Sequence, residues 1–191
     1  MKPKRSLPPV ILACLMACTT PAFSHPHVFA EANLEEVVAE DGAVEALRHV
    51  WRFDDLFSST VLLEFDMNAD LVLDNDELAQ VGAVIHESLA EFDYFQFVTA
   101  SGKNVKMNPP DMIMANYEDN QLTILFESKP AEPLRLDGQV DFGVYDPTFY
   151  TAIDFYDDTH LVASHLPDNC TRKVVRPDPA EAIALNQETL T

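Results

Sequence analysis

Apolar and polar residues alternate with a period of two over residues 28 to 38 and again over 43 to 53, the pattern of two half-buried strands. Asp41-Gly42 lies between them and signals a two-residue hairpin turn. Pairing Glu40 with Ala43 fixes the register. One face then sets Val28, Ala30, Ala32 and Leu34 against His49, Trp51 and Phe53, while the other sets Glu35 opposite Arg48 and Glu31 opposite Arg52. One register satisfies packing and charge together. From Asp54 to Phe65 the period becomes helical, with Asp54 or Asp55 as cap and Leu56, Phe57, Thr60, Val61 and Glu64 at helical spacing. A second helix is expected from Asn75 to Phe92, with an apolar stripe of Leu78, Val81, Ile85, Leu89 and Phe92. Short strands follow: Phe95 to Ala100, Met112 to Tyr117 joined through Asp119-Asn120 to Leu122 to Glu127, Leu134 to Tyr145, Phe149 to Tyr156 and His160 to Ser164. Prolines punctuate them, as in sheets with irregular connections. The expected fold class is α+β, a mainly antiparallel sheet with a helix–loop–helix inserted at about 54–92.

Before the first strand, MKPKRSLPPVILACLMACTTPAFS combines a basic start, an apolar run and small residues Ala22 and Ser24. That is the build of a secretory signal peptide. Cleavage after Ser24 makes His25 the first mature residue; a second reading takes Leu15-Met16-Ala17-Cys18 as a lipobox with a lipid anchor on Cys18. The organisation expected is a leader at 1–24, a single domain at 25–178 and a tail at 179–191 that closes with a short helix. The location expected is the periplasm, with no membrane insertion after cleavage. The leader removes three of twelve basic residues and none of thirty-two acidic ones, taking the net charge from -20 to 9 - 32 = -23. Nucleic acid is therefore not expected as a partner. With Cys14 and Cys18 in the leader, Cys170 is left alone and no intramolecular disulfide is expected.

Between the helices runs DMNADLVLDNDE. As a twelve-residue loop it puts Asp66, Asn68 and Asp70 at positions one, three and five, the carbonyl of Val72 at seven, Asp74 at nine and Glu77 at twelve. These are the EF-hand ligand positions, an all-oxygen set suited to calcium. Leu71 stands at position six, where the turn favours glycine. The other reading of this stretch is a degenerate loop kept as a helix connector.

Nitrogen donors lie elsewhere. His25 and His27 are two apart in SHPHVF, so in an extended segment they project to one side. A freed amine at His25 adds a third nitrogen, and Pro26 has no N–H to deprotonate. Such a set suits nickel, cobalt, zinc or copper rather than calcium. His49 falls on the apolar hairpin face as a core histidine, and His86 reads as a helix-surface residue. His160 and His165, five apart, point to opposite faces of a strand; with Cys170 they are further candidates.

Three stretches carry a resemblance: HPHVF after the leader, VWRFDDLFSSTVLLEFDMNADLVLDNDEL, and YDPTFY from Tyr145 to Tyr150, followed by the region of Cys170. Together they resemble a family of exported bacterial proteins of unknown function, labelled the periplasmic component of an uncharacterised ABC-type transport system and associated with nickel and cobalt permeases. The resemblance implies a partner permease and a divalent transition metal, and maps onto His25, His27, the loop ligands and Asp146 to Tyr150. The expectation is a periplasmic metal-binding accessory or solute-binding component with a structural calcium site. Two alternatives stay open: a copper-binding redox protein using the amino-terminal histidine, and a calcium-stabilised structural or adhesive domain. No enzyme is expected, since no nucleophile motif, phosphate loop or defensible acid–base pair is present.

Overall fold

The computed structural model describes residues 26–176; the leader, His25 and the tail lie outside them. Strands β1 (Val28–Val38) and β2 (Ala43–Phe53) form the antiparallel pair that the alternation implies. Ala30 faces Phe53, Ala32 faces Trp51, Leu34 faces His49, Glu31 faces Arg52 and Glu35 faces Arg48. The tip differs. The register shifts between Val37 and Val38, so Val38 faces Val44. Asp41 accepts the amide of Ala43 at 3.1 Å and pairs with Arg135 at 2.9 Å, while Gly42 takes φ +83°. A bulge absorbs the extra residue that this wider turn requires.

The hairpin is the spine of a mixed sheet. Strand β5 (Met114–Glu118) pairs with β6 (Gln121–Ser128), and β6 pairs with β2, all antiparallel. The short β7 (Leu134–Arg135) also joins β2. On the other side, β9 (Thr151–Asp154) and β10 (Leu161–Ser164) both lie parallel to β1. A period-two pattern carries no strand direction, so this parallel edge was not legible in the sequence. A second antiparallel sheet runs β4 (Lys103–Asn104), β3 (Gln96–Ala100), β8 (Val140–Val144). The expected strand from Leu134 to Tyr145 is thus two strands in two sheets, broken at Asp137-Gly138, where Gly138 takes φ +75°. With two helices beside these sheets, the class is α+β.

Helix α1 (Asp55–Phe65) starts on Asp54, whose Oδ1 accepts the amides of Leu56 and Phe57. The other oxygen, Oδ2, accepts the amide of Phe29 at 2.9 Å, tying the cap to β1. The buried side is Ser58 and Val61 with Phe57, Leu62 and Phe65; of the residues at helical spacing, Leu56, Thr60 and Glu64 face solvent. Ser58 explains the rotation. Its hydroxyl donates to the carbonyl of Phe53 at 3.4 Å and accepts the amide of Leu122 at 2.9 Å, so a polar residue is satisfied in the core.

Helix α2 (Asn75–Ala90) begins in a capping box between Asp74 and Glu77 and stops two residues before Phe92. Asp93, Tyr94 and Phe95 follow in a left-handed turn with φ +50°, +56° and +56°. Such backbone costs about 1–2 kcal/mol per residue, offset by burial of Tyr94 and Phe95, the latter stacked on Trp51 at 6.2 Å. The inner face of the main sheet is covered in two halves. Trp51, Phe53, Ile124 and Phe126 pack under the helices, and Leu34, Val44 and Leu47 pack under the smaller sheet.

Gly82 sets how close α2 comes to that sheet, because a Cβ there would run into the carbonyl oxygen of Ile113. Helix propensity alone favours alanine by about 1 kcal/mol. Backbone contact outweighs it: Gly82→Ala is expected to destabilise the protein by about 1–3 kcal/mol. Chemical denaturation checks this, and a stabilised variant would refute the close approach.

Candidate functional site

Two of the stretches singled out by sequence meet in space. The amides of His27 and Val28 both donate to the carbonyl of Tyr150, at 2.8 and 3.2 Å. The His27 ring lies 5.1 Å from the Tyr150 ring. The Tyr145–Tyr150 segment is in turn wound around Asp146, a buried carboxylate that accepts the amide and hydroxyl of Thr148, both at 2.7 Å, and the amide of Thr151 at 2.8 Å. Tyr145 stacks on Phe97 at 4.0 Å. His27 therefore projects from a backbone fixed to a rigid turn, at the exposed start of β1, whereas its neighbour His25 lies outside the described residues.

The loop from Asp66 to Glu77 is closed on its own amides. Asp66 accepts from the amides of Asp70 at 3.2 Å and Leu71 at 2.8 Å, Asn68 from Asp70 at 2.8 Å, and Asp70 from Val72 at 2.9 Å. Glu77, almost wholly buried, spans the loop, its two oxygens accepting the amides of Met67 at 2.7 Å and Asp74 at 2.9 Å. Leu71 takes φ +64° and Ala69 φ +59°, so leucine makes the turn for which glycine was expected.

The other candidates lie apart. His160 Nδ1 donates to the Asp157 carboxylate over 3.0 Å, and the hydroxyl and amide of Thr159, with His160, lower the Asp157 pKa to about 2. His160 precedes Leu161, which faces Leu34, so about six residues of strand, roughly 20 Å, separate it from His27. His165 is exposed beyond β10, and Cys170, whose Sγ is 3.9 Å from the carbonyl of Leu136, sits toward the hairpin tip. Among the described residues, no three His, Cys, Asp or Glu side chains gather as a metal-holding group. His86, expected at the helix surface, is half-buried, 2.8 Å from the carbonyl of Pro110 and 3.3 Å from the Tyr94 hydroxyl.

Comparison with known sequences bears on the whole chain. A family model described as a protein of unknown function (DUF1007) matches residues 10–191. The chain belongs to that family. An uncharacterised protein of Haemophilus influenzae is 26% identical over 166 residues, covering 84% of this chain and 77% of the relative. No solved structure matches the chain.

Three features of this DUF1007 protein lie outside the predicted sites. On the outer face of the main sheet is a groove of about 830 Å³. Its floor is the row Asn33, Val50, Leu125, Met114, each facing the next across four strands, beside the ion-paired row Glu35, Arg48, Glu127. His160 and Met114 stand at opposite sides of it, about four strand spacings or roughly 19 Å apart, too far to share an ion. A second feature is the charge of the helical insertion, where residues 53–102 hold eleven Asp and Glu and no Lys or Arg.

The third is a pair of buried titratable groups. His49 stacks on Phe126 at 4.5 Å, with Nε2 3.2 Å from Oε1 of Gln96, which also takes the Ser128 hydroxyl. Burial pulls its pKa down to about 4, against a smaller upward pull from Gln96. Glu36, on the inner face of β1, is pushed up to about 7, chiefly by burial. A depressed histidine loses stability as pH falls from 6.5 to about 4, because the unfolded chain takes up a proton that the native one refuses. A raised carboxyl does the opposite, losing stability as pH rises from 4.5 to about 7. The two slopes oppose each other between pH 4.5 and 6.5. Removing one unmasks the other: Glu36→Gln is expected to lose stability on acidification through that window and to gain about 1–2 kcal/mol at pH 8, while His49→Phe gains stability on the same acidification. Denaturant midpoints across pH test this, and parallel curves for both variants would overturn it.

Proposed function

We propose that this protein binds a divalent transition metal in the periplasm, as the accessory or solute-binding component of a nickel, cobalt or zinc transport system, with calcium fixing the helical insertion. The observation that carries this reading is the anchoring of His27: its amide and that of Val28 both donate to the carbonyl of Tyr150, on a turn organised by Asp146. Pre-set backbone lowers the entropy that a ligand set must lose on binding. His25 and His27 supply nitrogen donors of the type these metals prefer. The permease partner follows from the family resemblance.

The loop reading, an EF-hand-like calcium site, rests on donor chemistry and on winding. Asp66, Asn68, Asp70, Asp74 and Glu77 offer side-chain oxygens, and Val72 its carbonyl. The left-handed turn at Leu71, at a cost of about 1–2 kcal/mol, sets an affinity roughly 5- to 30-fold below that of a glycine loop. Five carboxylates in twelve residues that include no Lys or Arg make a divalent cation the natural counter-charge. The packing of His27 on Tyr150 also favours a second reading, copper-based redox chemistry at the same histidines.

Titration of the processed protein with nickel, zinc, copper and calcium separates these. His25→Ala and His27→Ala are expected to weaken transition-metal binding at least about tenfold and to leave calcium stabilisation intact. Glu77→Gln is expected to remove the calcium-induced rise in Tm and spare nickel and zinc binding. Unchanged transition-metal affinity in both histidine variants sinks the transport assignment. Reversible binding of copper with no catalysed oxidation of a reductant sinks the redox reading.

A further inference from the structure

Helix α1 turns an apolar stripe to solvent. Leu56 and Leu63, two turns apart, are 76% and 74% exposed, and Met67, just past the helix, is 76% exposed. Thr60 lies in line between the leucines and is exposed as well. Its hydroxyl donates to the carbonyl of Leu56 at 3.0 Å, and that of Ser59 to Asp55 at 2.6 Å. Both hydroxyls on this side are thus spent on the helix's own backbone, and the stripe is apolar in practice. Single exposed apolar residues are ordinary. Residues 56, 60, 63 and 67 in succession are the ridge of a helix-packing surface. The fold does not use this ridge, since α1 meets the core through Ser58, Val61, Phe57, Leu62 and Phe65.

Charge identifies what covers it. Asp55 and Glu64 flank the stripe on the same helix, inside the stretch of residues 53–102 that holds eleven acids and no Lys or Arg. An anionic membrane or a nucleic acid is repelled by that field, and a second copy of this chain brings the same unneutralised charge against itself. A cationic partner with apolar side chains is attracted and buried at once.

We infer that the outward face of α1 is a docking surface for a basic amphipathic segment of another protein, with Leu56, Leu63 and Met67 as its apolar floor and Asp55 and Glu64 as its charged rim. The inference stands apart from the metal reading. It is tested with the purified protein and three synthetic peptides: an amphipathic helix of leucine and lysine, a scrambled peptide of the same composition, and the same helix with glutamate for lysine. Binding is read by fluorescence anisotropy and the footprint by hydrogen exchange. The amphipathic basic peptide is expected to bind at least about tenfold more tightly than the scrambled one, to protect α1, and the glutamate form not to bind. Leu56→Ser/Leu63→Ser, which leaves net charge unchanged, is expected to weaken binding about tenfold with Tm preserved. Leu63→Gln alone serves if the double variant unfolds. Equal binding by the leucine variants reduces the effect to charge, and protection at the outer groove places it elsewhere; either overturns the inference. So does leucine-dependent binding to phosphatidylglycerol vesicles, or leucine-dependent self-association in sedimentation.

Discussion

The pairing of β1 with β2 is the constraint on which the remaining structure depends. Both strands run eleven residues, and each is used on two edges and two faces. β1 takes β9 and β10 along its free edge, and β2 takes β6 and β7 along its own. A slip of one residue would exchange every buried Ala, Leu, Trp and Phe of the pair with Glu, Arg and Asn. The ion row Glu35, Arg48, Glu127 is an exposed reader of that register, worth little energy itself. The placement of His27 follows from the same pairing, since Val28 opposite Thr151 puts the start of β1 beside Tyr150.

Much of this was legible because it is periodic. Both hairpin strands, both helix starts and the Asp54 cap are local signals, fixed by residues a few positions apart; that Asp74, read as a loop ligand, also caps the second helix was not anticipated. What else escaped is non-local. Nothing near Leu161 states that it runs parallel to β1, and nothing near Ser58 states that Leu122 will bring an amide to its hydroxyl. The hairpin tip was misjudged because Arg135, ninety-four residues away, competes for Asp41. Glu36 is different: it breaks the run of apolar even positions on β1, and that exception was readable in the sequence. The candidate site was legible as two segments, HPHVF and YDPTFY, but their contact is a product of topology.

The seam between the two halves of the core is polar. His49 lies on β2 between Leu47, which packs under the small sheet, and Trp51, which packs under the helices. Gln96 opens β3 and Ser128 closes β6, so one side-chain carbonyl joins three strands in two sheets. His49 Nδ1, Trp51 Nε1 and Gln96 Nε2 have no hydrogen-bond partner there. Unsatisfied buried polar groups cost stability, and three of them lie at this seam. They also make the docking of the sheets directional, because an apolar seam would tolerate sliding where Gln96 does not.

The helical insertion poses the opposite problem, an excess of one charge rather than a shortage of partners. Its carboxylates turn inward on amides in the Asp66–Glu77 loop and at the two caps, which satisfies hydrogen bonds but leaves the negative charge in place. Backbone dipoles at the helix starts offset a fraction of it. The last turns of both helices carry no basic residue, so the dipole there adds to the negative field. Chain neutralisation would need lysine or arginine, and the nearest in sequence, Arg52 and Lys103, stand outside the insertion. Positive charge supplied from outside the chain would therefore be attracted to the insertion. The proposed calcium ion acts at the loop and the proposed basic segment at α1, so the two are not alternatives: each relieves a different end of one acidic element, and each binding event lowers the repulsion that the other has to overcome.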